Sequence, residues 1–278
     1  METDRTADLT FGGTATTLLR LGPFTLLTDP NFLHQGQRAY LGYGLWSKRR
    51  TEPALLPADL PACDAVLLSH LHGDHFDRVA KRELDHELPV LTTRQAAKRL
   101  RGWGFGAADG LEPWATRTLT QGGERLTVTA VPGTHGPGPM GAILPPVQGH
   151  VLELGTGSDR LRVYVTGDVL FRPQLREVVE RCGRLDTMVI HLGGTRVLGI
   201  LVTMDARQGT DLVELLEPTV TVPIHYDDYG VFRSPLSEFL AQMQMRRPRS
   251  EIRVVRRGDA VSLDPGQSAR AWSAPGSC

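Results

Sequence analysis

Short runs of apolar and β-branched residues, bounded by glycine, proline or aspartate, recur along the chain and are typical of buried strands. The first two, at residues 14–21 and 24–28, flank a Gly-Pro turn. Asp29-Pro30 ends the second run, because proline cannot extend a β-ladder. Further strands are predicted at residues 65–68, 89–92, 125–131, 151–154, 161–166, 187–190 and 220–224.

Helical segments alternate with these strands, which favours an α/β fold. A closing hairpin is predicted from residues 252–255 and 260–263, around the turn Arg257-Gly258-Asp259. No linker separates two domains, so we expect one domain over 1–278, with a core at about 8–264 and a flexible tail. The predicted helices cover residues 77–84, 94–100, 173–181, 206–216 and 235–245.

Two stretches lack clean periodicity. Residues 31–60 carry Tyr40, Tyr43 and Trp46 among glycines, and ten of the eighteen residues at 132–149 are Gly or Pro. Loops of this length inside a domain are often functional. Both are candidates for the walls or lid of a pocket.

Composition narrows the function classes. The 278 residues include 31 Lys+Arg and 31 Asp+Glu, so the chain lacks the basic field of a general nucleic-acid or anionic-membrane binder. No apolar run reaches the ~20 residues of a membrane span. Three widely spaced cysteines and the absence of a visible signal sequence favour the cytoplasm. We expect a small-molecule substrate, with a homo-oligomer left open.

The heptapeptide S-H-L-H-G-D-H holds His70, His72, Asp74 and His75 directly after a predicted strand. In extended backbone, residues two apart place their side chains on the same side, so the first two imidazoles can grip one ion. Gly73 lets the chain turn and direct the next pair at a second ion. A polar loop with unrelated histidines is the alternative, but three imidazoles and a carboxylate within six residues favour a metal site.

Seven residues cannot fill two coordination shells. His135, Asp168 and His225 each come shortly after a predicted strand. Separately, each is typical of a turn or cap residue. Together, at strand ends where α/β scaffolds display functional loops, they are candidates for the missing ligands.

The strand–SHLHGDH–helix unit followed by these three residues resembles the metallo-β-lactamase superfamily. Within it, the chain is most similar to the bacterial lactonase-type and N-acyl-phosphatidylethanolamine phospholipase D-like hydrolases. The segments G-T-A-T-T-L-L, L-L-T-D-P and V-P-I-H-Y carry that similarity, which covers roughly residues 10–235. Two positions depart from the branch: Thr14 stands where a histidine is common, and His191 where a small or apolar residue is common.

The resemblance implies a four-layer αβ/βα sandwich in which two mixed β-sheets are flanked by helices. It also implies a ligand set around two divalent ions, most simply Zn²⁺, with Mn²⁺ or iron as alternatives. Asp29 would support the site from behind, or be a simple turn residue. The implied ligands are His70, His72 and His135 on one ion, Asp74, His75 and His225 on the other, and Asp168 bridging.

Two adjacent cations lower the pKa of a bridging water and polarise a carbonyl or phosphoryl oxygen. The sequence therefore predicts a metal-dependent hydrolase of a lactone or phosphodiester. Asp74 is the predicted proton carrier, and His191 is either a second catalytic group or a structural histidine. A nuclease-type phosphodiesterase and a non-catalytic metal-binding scaffold are the competing functions. His34, His86 and His150 are interpreted as ordinary polar residues.

Overall fold

The computed structural model describes residues 6–42, 44–138, 141, 144–157 and 160–267. The strands, in chain order, are β1 (Ala7–Gly13), β2 (Thr16–Leu21), β3 (Phe24–Thr28), β4 (Arg38–Tyr40), β5 (Trp46–Lys48), β6 (Ala65–Leu67), β7 (Val90–Thr93), β8 (Ala108–Leu111), β9 (Thr116–Gln121), β10 (Glu124–Pro132), β11 (Gln148–Leu154), β12 (Leu161–Val165), β13 (Thr187–His191), β14 (Arg196–Val197), β15 (Ile200–Leu201), β16 (Val220–Ile224), β17 (Glu251–Ile252) and β18 (Ala260–Ser262). The α-helices are α1 (Arg78–Glu83), α2 (Arg94–Arg101), α3 (Glu177–Cys182), α4 (Ala206–Leu216) and α5 (Leu236–Arg246).

Two seven-stranded sheets share one plan. The first has the order β18-β1-β2-β3-β6-β7-β8 and the second β17-β16-β13-β12-β11-β10-β9. In the first, β18 to β3 pair antiparallel and β3 to β8 pair parallel. The second repeats this, with antiparallel pairs from β9 to β12 and parallel pairs from β12 to β17. Both sheets are therefore mixed, as predicted.

Three apolar clusters define four layers. The largest joins the facing sides of the two sheets, with Leu19 and Leu26 from one and Val128 and Leu152 from the other. A second cluster packs α3, α4 and α5 on the outer side of the second sheet, and a third packs α1 and α2 on the outer side of the first. This helix–sheet–sheet–helix arrangement confirms the predicted αβ/βα sandwich.

The predicted closing hairpin is wrong. β17 pairs parallel with β16 in the second sheet, whereas β18 pairs antiparallel with β1 in the first. The turn between them is present, since the amide of Asp259 donates to the carbonyl of Arg256. The chain uses this turn to cross from one sheet to the other, and Arg253 fastens the crossing by donating to the carbonyls of Ser262 and Asp264.

Other differences concern short or polar elements. β8, β9 and the hairpin of β14 and β15 have too few apolar residues in alternation to be recognised in the sequence. β1 does alternate, with Ala7, Leu9 and Phe11 buried, and was missed. The predicted helix at 173–181 begins as a 3₁₀ turn, Pro173–Arg176, and continues as α3. Within the 31–60 stretch, β4 and β5 form a hairpin. The predicted tail lies mostly outside the described residues.

The side chain of Asp77 links the 31–60 stretch to α1 by hydrogen bonds. Its carboxylate caps the helix by accepting from the amides of Val79 and Ala80, and it also accepts from the amides of Phe32 and Leu33 at 2.5 and 2.8 Å. Asp77→Ala would leave these buried donors unpaired. We expect a loss of about 3 kcal/mol in the free energy of unfolding, from the cap and two desolvated amides.

This loss corresponds to a fall of roughly 6 to 12 °C in Tm for a chain of this size, measurable by differential scanning calorimetry. Asp85→Ala is the matched control, because that exposed aspartate accepts only from the amide of Glu87. Equal melting temperatures for the two variants would refute the role given to Asp77.

Candidate metal centre

The predicted ligands meet at one edge of the two sheets. His70, His135, Asp168 and His225 follow β6, β10, β12 and β16, while Asp29 follows β3. These strands run in the same direction within their sheets, so their carboxyl ends lie at the same edge. The strand order thus brings residues that are far apart in the sequence close together in space.

Three imidazoles form the first group: His70, His72 and His135. All are buried, and their potential ligand nitrogens lie within 4.8 Å of one another. His70 Nε2 and His72 Nδ1 are 2.8 Å apart, and the His135 ring centroid lies 4.8 and 5.1 Å from the centroids of the other two rings. The H-x-H pair thus brings Nε2 of His70 and Nδ1 of His72 together.

Two carboxylates and two imidazoles form the second group: Asp74, His75, Asp168 and His225, again within 4.8 Å. His75 Nε2 lies 3.3 Å from Asp168 Oδ2, and His225 Nε2 lies 3.6 Å from Asp74 Oδ2. The ring centroids of His70 and His75 are 4.2 Å apart, so the two groups are neighbours.

The first group is held neutral. Burial, together with the neighbouring His75 and His72, keeps the pKa of His70 well below its ordinary value, and burial beside His135 lowers the pKa of His72 to about 3. The pKa of His135 is also lowered by burial. Neutral imidazole is the form that binds a metal ion.

The second group pairs opposite charges. Burial disfavours the imidazolium of His75, but the carboxylates of Asp168, Asp29 and Asp74 outweigh it and raise its pKa. Burial likewise opposes the charged form of Asp168, yet His225 and His75 hold its pKa well below the ordinary value. The carboxylates are therefore ionised, and their negative charge favours a bound cation.

The fit to metal ions rests on unpaired atoms. Four buried polar atoms of the second group have no hydrogen-bond partner among the described residues: Asp74 Oδ1, His75 Nε2, Asp168 Oδ1 and His225 Nε2. Buried polar atoms are otherwise almost always paired, because desolvation without a partner is costly. A nitrogen and oxygen donor set of this kind suits Zn²⁺ and similar divalent ions.

Backbone carbonyls fix the orientation of two rings. His135 Nδ1 donates to the carbonyl of Asp168 at 2.9 Å, and His225 Nδ1 donates to that of Leu192 at 3.0 Å. A carbonyl only accepts, so the proton lies on Nδ1 and the Nε2 lone pair is free for an ion. His225 has φ of +62°, a strained value for a non-glycine residue at a functional site.

Asp29 lies directly behind the ligands. Its Oδ1 accepts from the amide and the hydroxyl of Ser69, and its Oδ2 lies 3.1 Å from His75 Nδ1. Ser69 Oγ is also 3.0 Å from His70 Nδ1. Because Ser69 Oγ also lies 3.3 Å from His75 Nδ1, this side chain links Asp29 to one ring from each group.

His191, the last residue of β13, is fully buried and packs behind His75. The two rings stack with centroids 6.1 Å apart, and His191 Nε2 lies 3.5 Å from Asp29 Oδ2. Its Nδ1 is 3.3 Å from Thr166 Oγ1. With Asp29 and His75, His191 forms a third buried group whose potential ligand atoms lie within 4.8 Å of one another.

We expect Asp29→Asn to weaken metal binding by roughly 10- to 100-fold, the usual cost of losing a carboxylate that orients a ligand imidazole. If the asparagine oxygen accepts from Ser69 as Asp29 Oδ1 does, its NH₂ group faces His75 Nδ1 and no longer offers an acceptor there. Competition with a chelator of known affinity measures the change. Asp64→Asn is the control, since Asp64 accepts from the amide of Thr25 away from the ligands. Equal affinities in both variants would contradict the role of Asp29.

The sequence analysis missed Thr203. Its hydroxyl donates to Asp168 Oδ2 at 3.1 Å, while Asp205 alone caps α4 by accepting from the amide of Gln208. His150, interpreted as ordinary, is buried 3.0 Å from Gln148 Nε2, and burial lowers its pKa to about 4. The only sequence feature at Thr203 is the segment T-M-D before a predicted helix, and a helix-capping role accounts for that segment equally well.

Gly73 serves close packing. The chain does turn there, since the amides of His75 and Phe76 both donate to the carbonyl of His72, but the turn needs no left-handed φ at Gly73. A Cβ there would lie 2.7 Å from the Tyr40 carbonyl oxygen, and the Gly73 amide donates to that same oxygen at 2.9 Å. Glycine thus lets the β4–β5 hairpin contact the ligand loop.

A buried polar network holds this loop from the other side. Asn31 Nδ2 donates to the carbonyl of Gly73, and Asn31 itself accepts from Arg49 and from the hydroxyl of Tyr229. Asp228 accepts from Arg257 and from the amide of Thr14. The residues directly after His225 therefore include two buried members of a structural network, Asp228 and Tyr229.

Comparison with known proteins identifies the family. The family model for the Beta-lactamase superfamily domain matches residues 25–226. The chain belongs to the metallo-β-lactamase superfamily. This assignment agrees with the sheet order and with the position of the histidine and aspartate clusters at the strand ends.

Relatives within the superfamily are distant but extensive. A UPF0173 metal-dependent hydrolase of Archaeoglobus fulgidus is 24% identical over 213 residues, covering 72% of this chain and 82% of its own. An isothiocyanate hydrolase from Delia radicum gut bacteria is 21% identical with a TM-score of 0.77, covering 93% and 99% of the two chains. A possible metal-dependent hydrolase of Veillonella parvula has 19% identity and a TM-score of 0.78, covering 92% and 99%.

The chain is a metal-dependent hydrolase of this superfamily. Within the described part of the chain, no helix combines the length and apolar character needed to cross a membrane.

Proposed function

We propose that this chain is a dinuclear hydrolase of the lactonase-type or phospholipase D-like branch, acting on a lactone or phosphodiester. The observation that carries the proposal is the pairing of a three-imidazole group with an adjacent group of two carboxylates and two imidazoles. Divalent ions held there would lower the pKa of water and polarise the substrate oxygen. Zn²⁺ suits the donors best, with Mn²⁺ and iron as alternatives.

The chain's own residues supply the proton transfer. Asp74 Oδ2 lies 3.6 Å from His225 Nε2, and Oδ1 is buried without a partner among the described residues. That oxygen is placed to accept a proton from the attacking water and return it to the leaving group. Asp168, held by Thr203, fixes the spacing of the groups. His191, with Asp29 between it and His75, orients rather than reacts.

The test is turnover by metal-loaded protein of a panel: γ- and δ-lactones, bis(4-nitrophenyl) phosphate and phenethyl isothiocyanate. The third substrate is included because of the structural similarity to the isothiocyanate hydrolase from Delia radicum gut bacteria. We expect a lactone or the phosphodiester to be hydrolysed, with activity lost on chelation and restored by added ions. Activity toward the isothiocyanate alone would overturn the proposed substrate class.

Activity that survives complete chelation would overturn the metal mechanism. A single-stranded DNA arm tests the nuclease alternative, and absence of turnover in every arm supports the scaffold alternative. The complete donor set argues against a scaffold, since a chain without catalysis would be free to lose some of these side chains.

A further inference from the structure

A cleft of about 510 Å³ opens beside the metal centre. One end is formed by His72 and Gly73 of the ligand loop, and a Cβ on Gly42 would lie 3.6 Å from His72 Nε2. The 31–60 stretch and the 132–149 loop both contribute walls, the latter through Pro145. A substrate held at the metal centre therefore has room to extend into this cleft.

Part of the cleft is apolar and aromatic. Leu33 and Phe76 line it, as do Tyr40 and Trp46, whose rings contact each other at a tilt of 50° with centroids 4.9 Å apart. These two aromatic side chains are 46% and 58% exposed. Exposed large apolar groups next to a concave site are typical of ligand binding, because a bound apolar body removes them from water.

The remaining wall is positively charged. Four cationic residues line the cleft, and Lys81 Nζ lies 4.3 Å above the ring of Trp103 with the Arg99 guanidinium 5.7 Å from the same ring. No carboxylate of the described residues forms an ion pair with any of the four. They are Arg38, Arg78, Lys81 and Arg99.

The single acidic residue of the lining, Asp77, offsets at most one of the four positive charges. Both oxygens of Asp77 are taken by backbone amides, two from α1 and two from Phe32 and Leu33. The cleft thus combines an apolar surface with unpaired cations, and the occupant of matching chemistry is an amphiphilic anion.

We infer that the substrate of this hydrolase carries a negatively charged group on an apolar body. The scissile bond lies at the His72 end, the body packs against Phe76 and Tyr40, and the anion lies near Lys81 and Arg99. As a statement about substrate this rests on the proposed function, but the binding preference of the cleft can be measured without any turnover.

Binding is measured on the metal-loaded protein by quenching of tryptophan fluorescence, since Trp46 and Trp103 line the cleft. The probes are 1-octanol, octanoate and octyl phosphate, which share one apolar body. We expect at least one anion to bind about tenfold more tightly than the alcohol, and the tighter of the two distinguishes a carboxylate from a phosphate substrate.

The double variant Lys81→Gln/Arg99→Gln locates the preference. We expect it to reduce the anion-to-alcohol ratio about five- to tenfold while the affinity for octanol stays unchanged, because only the charge is removed. Arg82→Gln is the matched control, as Arg82 is a neighbouring exposed cation paired with Glu83 and outside the cleft. An unchanged ratio in the double variant would overturn the inference, as would equal binding of all three probes by the parent.

Hydrolysis provides the second readout. The parent is expected to cleave mono-4-nitrophenyl glutarate with a higher kcat/KM than 4-nitrophenyl valerate, and the double variant to lose this preference through KM. If neither ester nor any lactone or phosphodiester is hydrolysed, the proposed function fails. The octyl probes still decide whether the cleft selects anions.

Discussion

Asp168→Asn is expected to lower the rate of hydrolysis by roughly a thousandfold or more, because residues of a reacting centre act as a unit. Asp168 Oδ2 lies 3.3 Å from His75 Nε2, and Oδ1 lies 3.4 Å from His225 Nδ1. Asparagine keeps the shape but removes the charge and one acceptor oxygen. We therefore expect ion content to fall together with activity.

The measurement is kcat on the substrate found in the panel, with metal analysis of the same samples. Asp211→Asn is the control, since Asp211 pairs with Arg246 on the helical surface. Its activity should equal that of the parent. An Asp168→Asn protein with parental activity would show that the second group does not take part in the reaction.

Chelation is expected to lower the melting temperature by about 10 °C for each ion that it removes. An ion present at about a thousand times its dissociation constant stabilises the folded chain by roughly 4 kcal/mol, and each kcal/mol shifts Tm by about 2 to 4 °C at this size. Without ions, only the imidazoles of His75 and His225 stabilise the buried carboxylates of Asp74 and Asp168, so the folded state is less stable. Scanning calorimetry with and without chelator measures the shift.

The Asp168→Asn protein serves as the internal control for this shift. Its Tm should depend much less on added ions, since one group has lost a ligand. Identical melting curves for the chelated and the loaded parent would mean that the folded chain does not bind ions through buried residues.

Local patterns predicted the elements that matter for the site. His135, Asp168 and His225 were found because each follows a short apolar run, and such runs form buried strands whether or not their partners are known. The direction of those strands then brings the residues to one edge. The sequence order of the ligands was therefore enough to expect a common site.

Interactions between distant segments could not be predicted in this way. The crossing at residues 252–263 has the composition of a hairpin, and only the sheets decide that its two strands have different partners. The contact of Gly73 with Tyr40 and the hydrogen bond from Thr203 to Asp168 likewise depend on three-dimensional packing. In each case the local sequence was compatible with a simpler explanation.

His191 shows the same limit. Its position at a strand end was indistinguishable in sequence from that of the proposed ligands, whereas in the structure Asp29 Oδ2 lies 3.1 Å from His75 Nδ1 and 3.5 Å from His191 Nε2. A position at a strand end places the backbone of a residue near the site, but it does not determine whether the side chain points toward the proposed ions or packs behind the ligands. The orientation of the ring followed from burial against Thr166.

The central claim is that two ions lie side by side, one among His70, His72 and His135 and the other among Asp74, His75, Asp168 and His225. Diffraction from crystals of the protein, with anomalous data collected on both sides of the metal absorption edge, tests it most directly. We predict two anomalous peaks a few Å apart at these positions. A single peak, or peaks away from these seven side chains, would contradict it.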